Sequence, residues 1–169
     1  MPRRLLDRCK PDSVAEFRAA ARSRYAEGVD LLNAGRRFGA IYLWGYAAEM
    51  VVKAACFSVI GLGETEPLDW KTHLRPAIEF GRTKASIIWP FRGDGHNVRA
   101  WLELLIYTRE QVLNKPFPTA FKEEAQRVGA AVELLWRETL RYHKNVASRR
   151  EADQMQRAVV WLLNQRNIL

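Results

Sequence analysis

The stretch from Phe38 to Phe57, FGAIYLWGYAAEMVVKAACF, constrains the fold more than any other part of this chain. It has room for about five turns of helix and holds no proline. Its apolar residues, among them Ile41, Trp44, Ala47, Ala48, Val51, Val52 and Ala55, do not keep to one stripe but cover most of the circumference. A helix apolar on all sides must be covered on all sides, by protein or by lipid. Glu49 and Lys53 fall in the middle, and each would cost about 2.5–3.5 kcal/mol at a bilayer centre. The expectation is therefore the central helix of a bundle and no membrane span. Glu49 precedes Lys53 by four residues, the favourable order for a helical ion pair. Such a pair reads as a structural bridge, or as a site in which Lys53, oriented by Glu49, contacts a phosphate. A buried lysine without a partner would be costly either way.

The length of 169 residues suits one domain with a real core. Two cysteines, Cys9 and Cys56, make no disulfide framework and no zinc spacing, so no metal and no cofactor are expected. The opening MPRRLLDRCK lacks the apolar run of a secretory signal, and a reducing, cytoplasmic setting is the default. The formal charge of +8 says more, since it favours polyanions, whether nucleic acid, nucleotides or an acidic protein. Arginine also favours bidentate phosphate contacts.

Taken in order, residues 1–12 form a basic lead-in with Arg3, Arg4, Arg8 and Lys10, and residues 13–169 form a single helical domain. Ser13 and Glu16 make a capping-box pattern. Val14, Phe17, Ala21, Tyr25, Val29 and Leu32 then draw one apolar stripe, which stops at Asn33-Ala-Gly35. The short connection makes the first two helices antiparallel neighbours. Residues 61–71 form a loop, and a short helix follows from Thr72 to about Arg82, with Pro76 in its first turn. Residues 83–96 look irregular; Trp70 and Trp89, in loops, are available for stacking on bases. Asn97 caps a helix running to about Leu113, with Val98, Trp101, Leu102, Leu105, Ile106 and Val112 facing inward. Lys115 to Pro118 breaks it, and Thr119 caps a long fourth main helix whose stripe extends from Phe121 through Trp136 to Leu140. Ser148 and Glu151 make a second capping-box pattern, opening a last helix striped by Met155, Val159, Leu162 and Leu163. The expected fold is all-α: an up-and-down bundle of four main helices plus short extra ones.

The segment Tyr25 to Ala40, YAEGVDLLNAGRRFGA, followed by Ala47 to Ala54, AAEMVVKA, resembles the HEPN family (higher eukaryotes and prokaryotes nucleotide-binding). The likeness continues in Thr72-His-Leu74, where Arg75 stands in place of the usual Asp. It extends through Tyr107-Thr-Arg109, Pro116-Phe-Pro118 and an Ala-rich helix, spanning roughly residues 13–140. The resemblance implies a helical bundle that commonly dimerises and acts near nucleotides or RNA. It also implies a kinship with metal-independent RNases of toxin–antitoxin or defence systems, some paired with a nucleotidyltransferase-type antitoxin. Active members carry an Arg and a His with four to six residues between them at the dimer cleft. Here Arg137 and His143 match that spacing, while Arg92 and His96 stand one residue too close.

The candidate catalytic pair is therefore Arg137 and His143, with the His as general acid or base and the Arg stabilising charge on phosphate. Six residues turn an ideal helix by about 240 degrees, so within one helix the two would not converge. Candidate nucleotide or RNA contacts are Glu49, Lys53, His73, Arg109, Arg141, Arg149 and Arg150. Each has a plainer reading: a packing bridge for Glu49 and Lys53, a satisfied structural histidine for His73 and His96, a solvated basic face for the arginines. The leading expectation is a dimeric, nucleotide- or RNA-associated binding or scaffold protein without an intact RNase motif. An RNase and a basic module that meets an acidic protein are the alternatives.

Overall fold

A computed structural model describes residues 9–89, 95–144 and 146–165. The protein is all-α, with six α-helices and no strand among the described residues. They are α1 (Val14–Asn33), α2 (Arg37–Val59), α3 (Arg75–Thr83), α4 (Val98–Tyr107), α5 (Thr119–Leu135) and α6 (Arg149–Asn164).

Helix α2 contains the whole Phe38–Phe57 stretch and is the axis of the bundle. It packs against α1, α4, α5 and α6, and Trp44, Ala47, Ala48, Val52 and Phe57 are almost wholly buried. Its length and composition would suit a membrane span, yet 78% of its most apolar stretch is buried inside the protein. Two glycines allow the closest approaches. A Cβ on Gly28 of α1 would collide with the Trp44 ring, and one on Gly45 with the Trp136 ring. Trp44 Nε1 also donates to the Tyr25 carbonyl at 3.1 Å, which fastens α1 onto α2.

Several helix ends lie where the sequence puts them. Ser13 accepts from the Glu16 amide at the start of α1, Asn97 from the Ala100 amide at the start of α4, and Ser148 and Glu151 form a complete capping box on α6. Pro76 sits in the first turn of α3.

Others differ. The third segment begins earlier than Thr72, as a π-helical turn over Trp70–Leu74. Its cap is the Asp69 carboxylate, which accepts from the Lys71 and Thr72 amides. Helix α4 passes into a second π-helical turn, Thr108–Val112. The changed pitch swings Val112 outward to 55% exposure, against the expectation that it faces inward. Thr119 is the first helical residue rather than a cap, because Pro118 occupies the cap position. Trp89 is buried against Trp101 and is not free to stack on a base.

The largest difference is at the end of α5. The expected helix through Leu140 stops at Leu135, and Trp136 turns to an extended conformation. Its ring enters the space left by Gly45, and Nε1 donates to the Tyr42 carbonyl at 3.0 Å. This tertiary contact overrides the helical periodicity. A 3-10 turn, Glu138–Tyr142, follows, so Arg137 and Arg141 do not share a helical face.

Candidate functional site

Two side chains on α2 form the base of a polar cluster. Glu49 and Lys53, one turn apart, are 6% and 7% exposed, and Lys53 Nζ lies 2.5 Å from Glu49 Oε1. The Trp101 ring of α4 covers the ammonium at 5.5 Å. Trp101 Nε1 donates to the Gly95 carbonyl at 2.8 Å, and this bond holds the residues leading into α4 over Lys53.

That segment delivers His96. Its Nδ1 lies 2.9 Å from Glu49 Oε2, and its Nε2 lies 2.9 Å from Glu138 Oε2 on the 3-10 turn. Glu49 thus engages Lys53 with one oxygen and His96 with the other. A ring that meets a carboxylate at both nitrogens is best satisfied as imidazolium, with both nitrogens donating. The hydrogen bond to Glu49 raises the His96 pKa above its ordinary value, against the opposing effect of burial. For Glu49, burial alone would push the pKa up. The His96 hydrogen bond and the Lys53 charge outweigh it, and the net shift is downward. The buried carboxylate is therefore an anion serving two cations. His96 is the accessible member, at 39% exposure, and Glu138 covers its outer nitrogen at 37%.

Two tyrosines of α2 continue the cluster. The Tyr46 ring stands edge-on to His96, with centroids 6.3 Å apart, and its hydroxyl lies 3.2 Å from that of Tyr42. Burial, then the Tyr42 hydrogen bond, push the Tyr46 phenol well above its usual pKa, so it stays neutral. Arg141 stacks over the Tyr142 ring at 4.8 Å; its guanidinium pKa is raised, first by Tyr142 and then by Tyr42. The early stop of α5 makes this grouping, because the 3-10 turn sets Glu138 on His96 and Arg141 beside the tyrosines.

Of the residues expected from sequence, Glu49 and Lys53 come together at His96, and Arg141 lies beside Tyr42 at the edge of the cluster. Arg137 and His143 flank the 3-10 turn, both exposed and both in extended backbone. Arg109 donates to the Lys115 carbonyl at 3.1 Å and stacks on Phe117 at 4.2 Å, a role in holding the Pro-rich connection. His73 lies in the π-helical turn, with Nδ1 accepting from the Asp69 amide. Arg149 and Arg150 open α6 at the surface, Arg149 paired with Asp153 at 2.8 Å.

Sequence reasoning missed Tyr42, Tyr46 and Glu138 and gave His96 only minor weight. The signal available for the tyrosines was their register: Tyr42, Tyr46, Glu49 and Lys53 recur at steps of four, three and four, a polar stripe on an otherwise apolar helix. Glu138 left no such signal, because a tertiary contact places it. Among the described residues no group of three His, Cys, Asp or Glu side chains is arranged to hold a metal ion. Comparison of the chain with known protein families, with curated proteins and with solved structures finds no match to any of them.

Proposed function

We propose that this protein binds the phosphate groups of RNA or nucleotides at the surface around His96, as a cytoplasmic, HEPN-like dimer with a binding or scaffold role. The observation that carries the reading is the state of His96: a half-exposed cation, fixed from behind by the Glu49–Lys53 pair, with its outer nitrogen occupied by a carboxylate. Glu138 is the internal stand-in for a phosphate. An incoming phosphate takes Nε2 from it, and Arg141, one turn along the same segment, supplies a planar donor set. The formal charge of +8 draws polyanions to such a site.

The test is binding of a short single-stranded RNA, followed by fluorescence anisotropy over a salt series. Affinity should fall with salt, with a logarithmic slope of about −0.7 per phosphate contact. It should weaken in His96→Ala and Arg141→Ala and strengthen in Glu138→Ala, which removes the carboxylate from His96 Nε2. Absence of binding at low salt, or indifference to salt, would sink the reading and leave an acidic protein as the partner. Light scattering at micromolar concentration should give about twice the chain mass; a clean monomer counts against the dimer.

One observation favours a second reading, a metal-independent RNase of a toxin–antitoxin or defence system with a nucleotidyltransferase-type antitoxin as partner. A protonated histidine can donate a proton to a leaving oxygen, and Arg141, on the turn whose Glu138 meets His96 Nε2, can stabilise phosphorane charge. On this reading His96 and Arg141 replace the sequence-spaced pair Arg137 and His143. RNA should then be cut in the presence of a chelator, and His96→Ala should abolish cutting while His143→Ala does not.

A further inference from the structure

One turn beyond Lys53 on α2, a cavity of about 340 Å³ opens between the end of α2, the segment Trp70–Thr83 and α4 with its π-helical turn. The His96 cluster makes no use of it. Its volume falls within the range of pockets that hold small organic molecules. Phe57, Ala77, Phe80 and Leu104 wall it, and Ile60 and Val112, 58% and 55% exposed, stand at its mouth.

Four polar side chains line it, Cys56, Thr72, His73 and Thr108, and the first three are settled in direction. The Asp69 backbone N–H donates to His73 Nδ1 at 3.0 Å. An amide can only donate there, so Nδ1 holds a lone pair and the neutral ring carries its proton on Nε2. No described residue accepts from Nε2. The Thr72 hydroxyl lies 2.9 Å from His73 Nδ1 and 3.2 Å from Asp69 Oδ1 and is already satisfied. Cys56 donates its S–H to the Trp101 carbonyl at 3.3 Å, and burial pushes its thiol pKa up, so it is a neutral wall rather than a nucleophile. Among the described residues no Lys, Arg, Asp or Glu lines the cavity. A charged ligand would lose its hydration with nothing to replace it. The Phe57 ring stands edge-on to His73, centroids 6.4 Å apart, so the walls that meet at the donor are aromatic.

We propose that this cavity binds a neutral aromatic small molecule bearing one hydrogen-bond acceptor, its ring against Phe57 and Phe80 and its acceptor on His73 Nε2. The probes are methyl naphthyl ketone and ethylnaphthalene, which share a shape and differ in the carbonyl. Binding is followed on the full chain by methyl NMR at Ile60 and Val112. Both signals should move on saturation with the ketone. Ethylnaphthalene should bind about fivefold more weakly, the value of one ordinary hydrogen bond. That preference should vanish in His73→Phe, and Ala77→Phe should abolish binding of both. Should Ala77→Phe fail to fold, Val112→Trp at the exposed mouth should block entry with the core untouched. The proposal is overturned if the two methyl signals do not respond, or if the native protein does not distinguish the two compounds. It is equally overturned if the signals move with protein concentration alone, which would make a second copy the occupant.

Discussion

At the residue scale, Glu49 has the most to lose. It is the shared anion of Lys53 and His96, and removing it leaves an ammonium buried without a partner. Glu49→Ala should cost about 3–5 kcal/mol, whereas the double change Glu49→Leu, Lys53→Met should cost far less, since it removes both charges together. Urea unfolding separates the two. The cluster also sets a pH dependence. The folded pKa of His96 is raised, so its contribution is full below the ordinary value of 6.5 and is lost as pH rises through the folded value. The folded pKa of Glu49 is lowered, so its contribution is present above 4.5 and is lost as pH falls through the folded value. The stability difference between the native chain and His96→Gln should therefore be largest below pH 6.5 and shrink as the solution is made alkaline. A difference independent of pH would show that His96 acts by packing alone. Glu49 and Lys53 were legible from sequence because their partnership is local, four residues along one helix. His96 was not, because what distinguishes it from an ordinary loop histidine is a carboxylate 47 residues away.

At the element scale, helix starts were easier to read than helix ends. Ser13, Asn97 and Ser148 cap through bonds to amides three residues on, and that chemistry is written in the local sequence. The end of α5 depends on a bond from Trp136 to a carbonyl 94 residues away and on a glycine that makes room for the indole. Periodicity alone counts Trp136 as one more stripe residue. Gly45→Ala should accordingly destabilise the protein by about 1–3 kcal/mol, as overpacking does. It should also loosen the turn that carries Glu138 and Arg141. Thermal melting measures the first effect, and the chemical shifts of His96 report the second. An unchanged melting temperature would mean that the ring does not need that space.

At the scale of the whole molecule, the all-α architecture followed from one circumferentially apolar helix. The distribution of charge did not. Side-by-side first and last helices would merge the arginines at the two ends of the chain into one positive surface; of these, Arg3, Arg4 and Arg8 lie outside the described residues. In the fold α6 packs on α2 and α5 and only grazes α1. Its far end, at Leu163, is the part near Arg18 and Arg22. Arg149 and Arg150 lie at the opposite end, on the order of 20 Å off along the helix. Arg18 and Arg24 are also paired, with Glu64 and Glu27. If RNA reaches the α6 start from the His96 surface, replacing Arg149 and Arg150 together by Ala should lower affinity and flatten the salt slope without shifting the melt. An unaltered slope would confine the RNA to the His96 side.

The position of α2 has a consequence for motion. Four other helices lean on it, so none can detach without wetting its surface. Its backbone amides can then exchange with deuterium only when the entire structure opens, and their protection should equal the global unfolding free energy. Helix α3 packs chiefly on its own π-helical lead-in, so its amides should exchange through smaller openings. Native-state hydrogen exchange under increasing denaturant should show the two behaviours converging only near the midpoint. The chain would then be a rigid spindle with a looser fringe, and the ionised cluster around His96 would belong to the spindle.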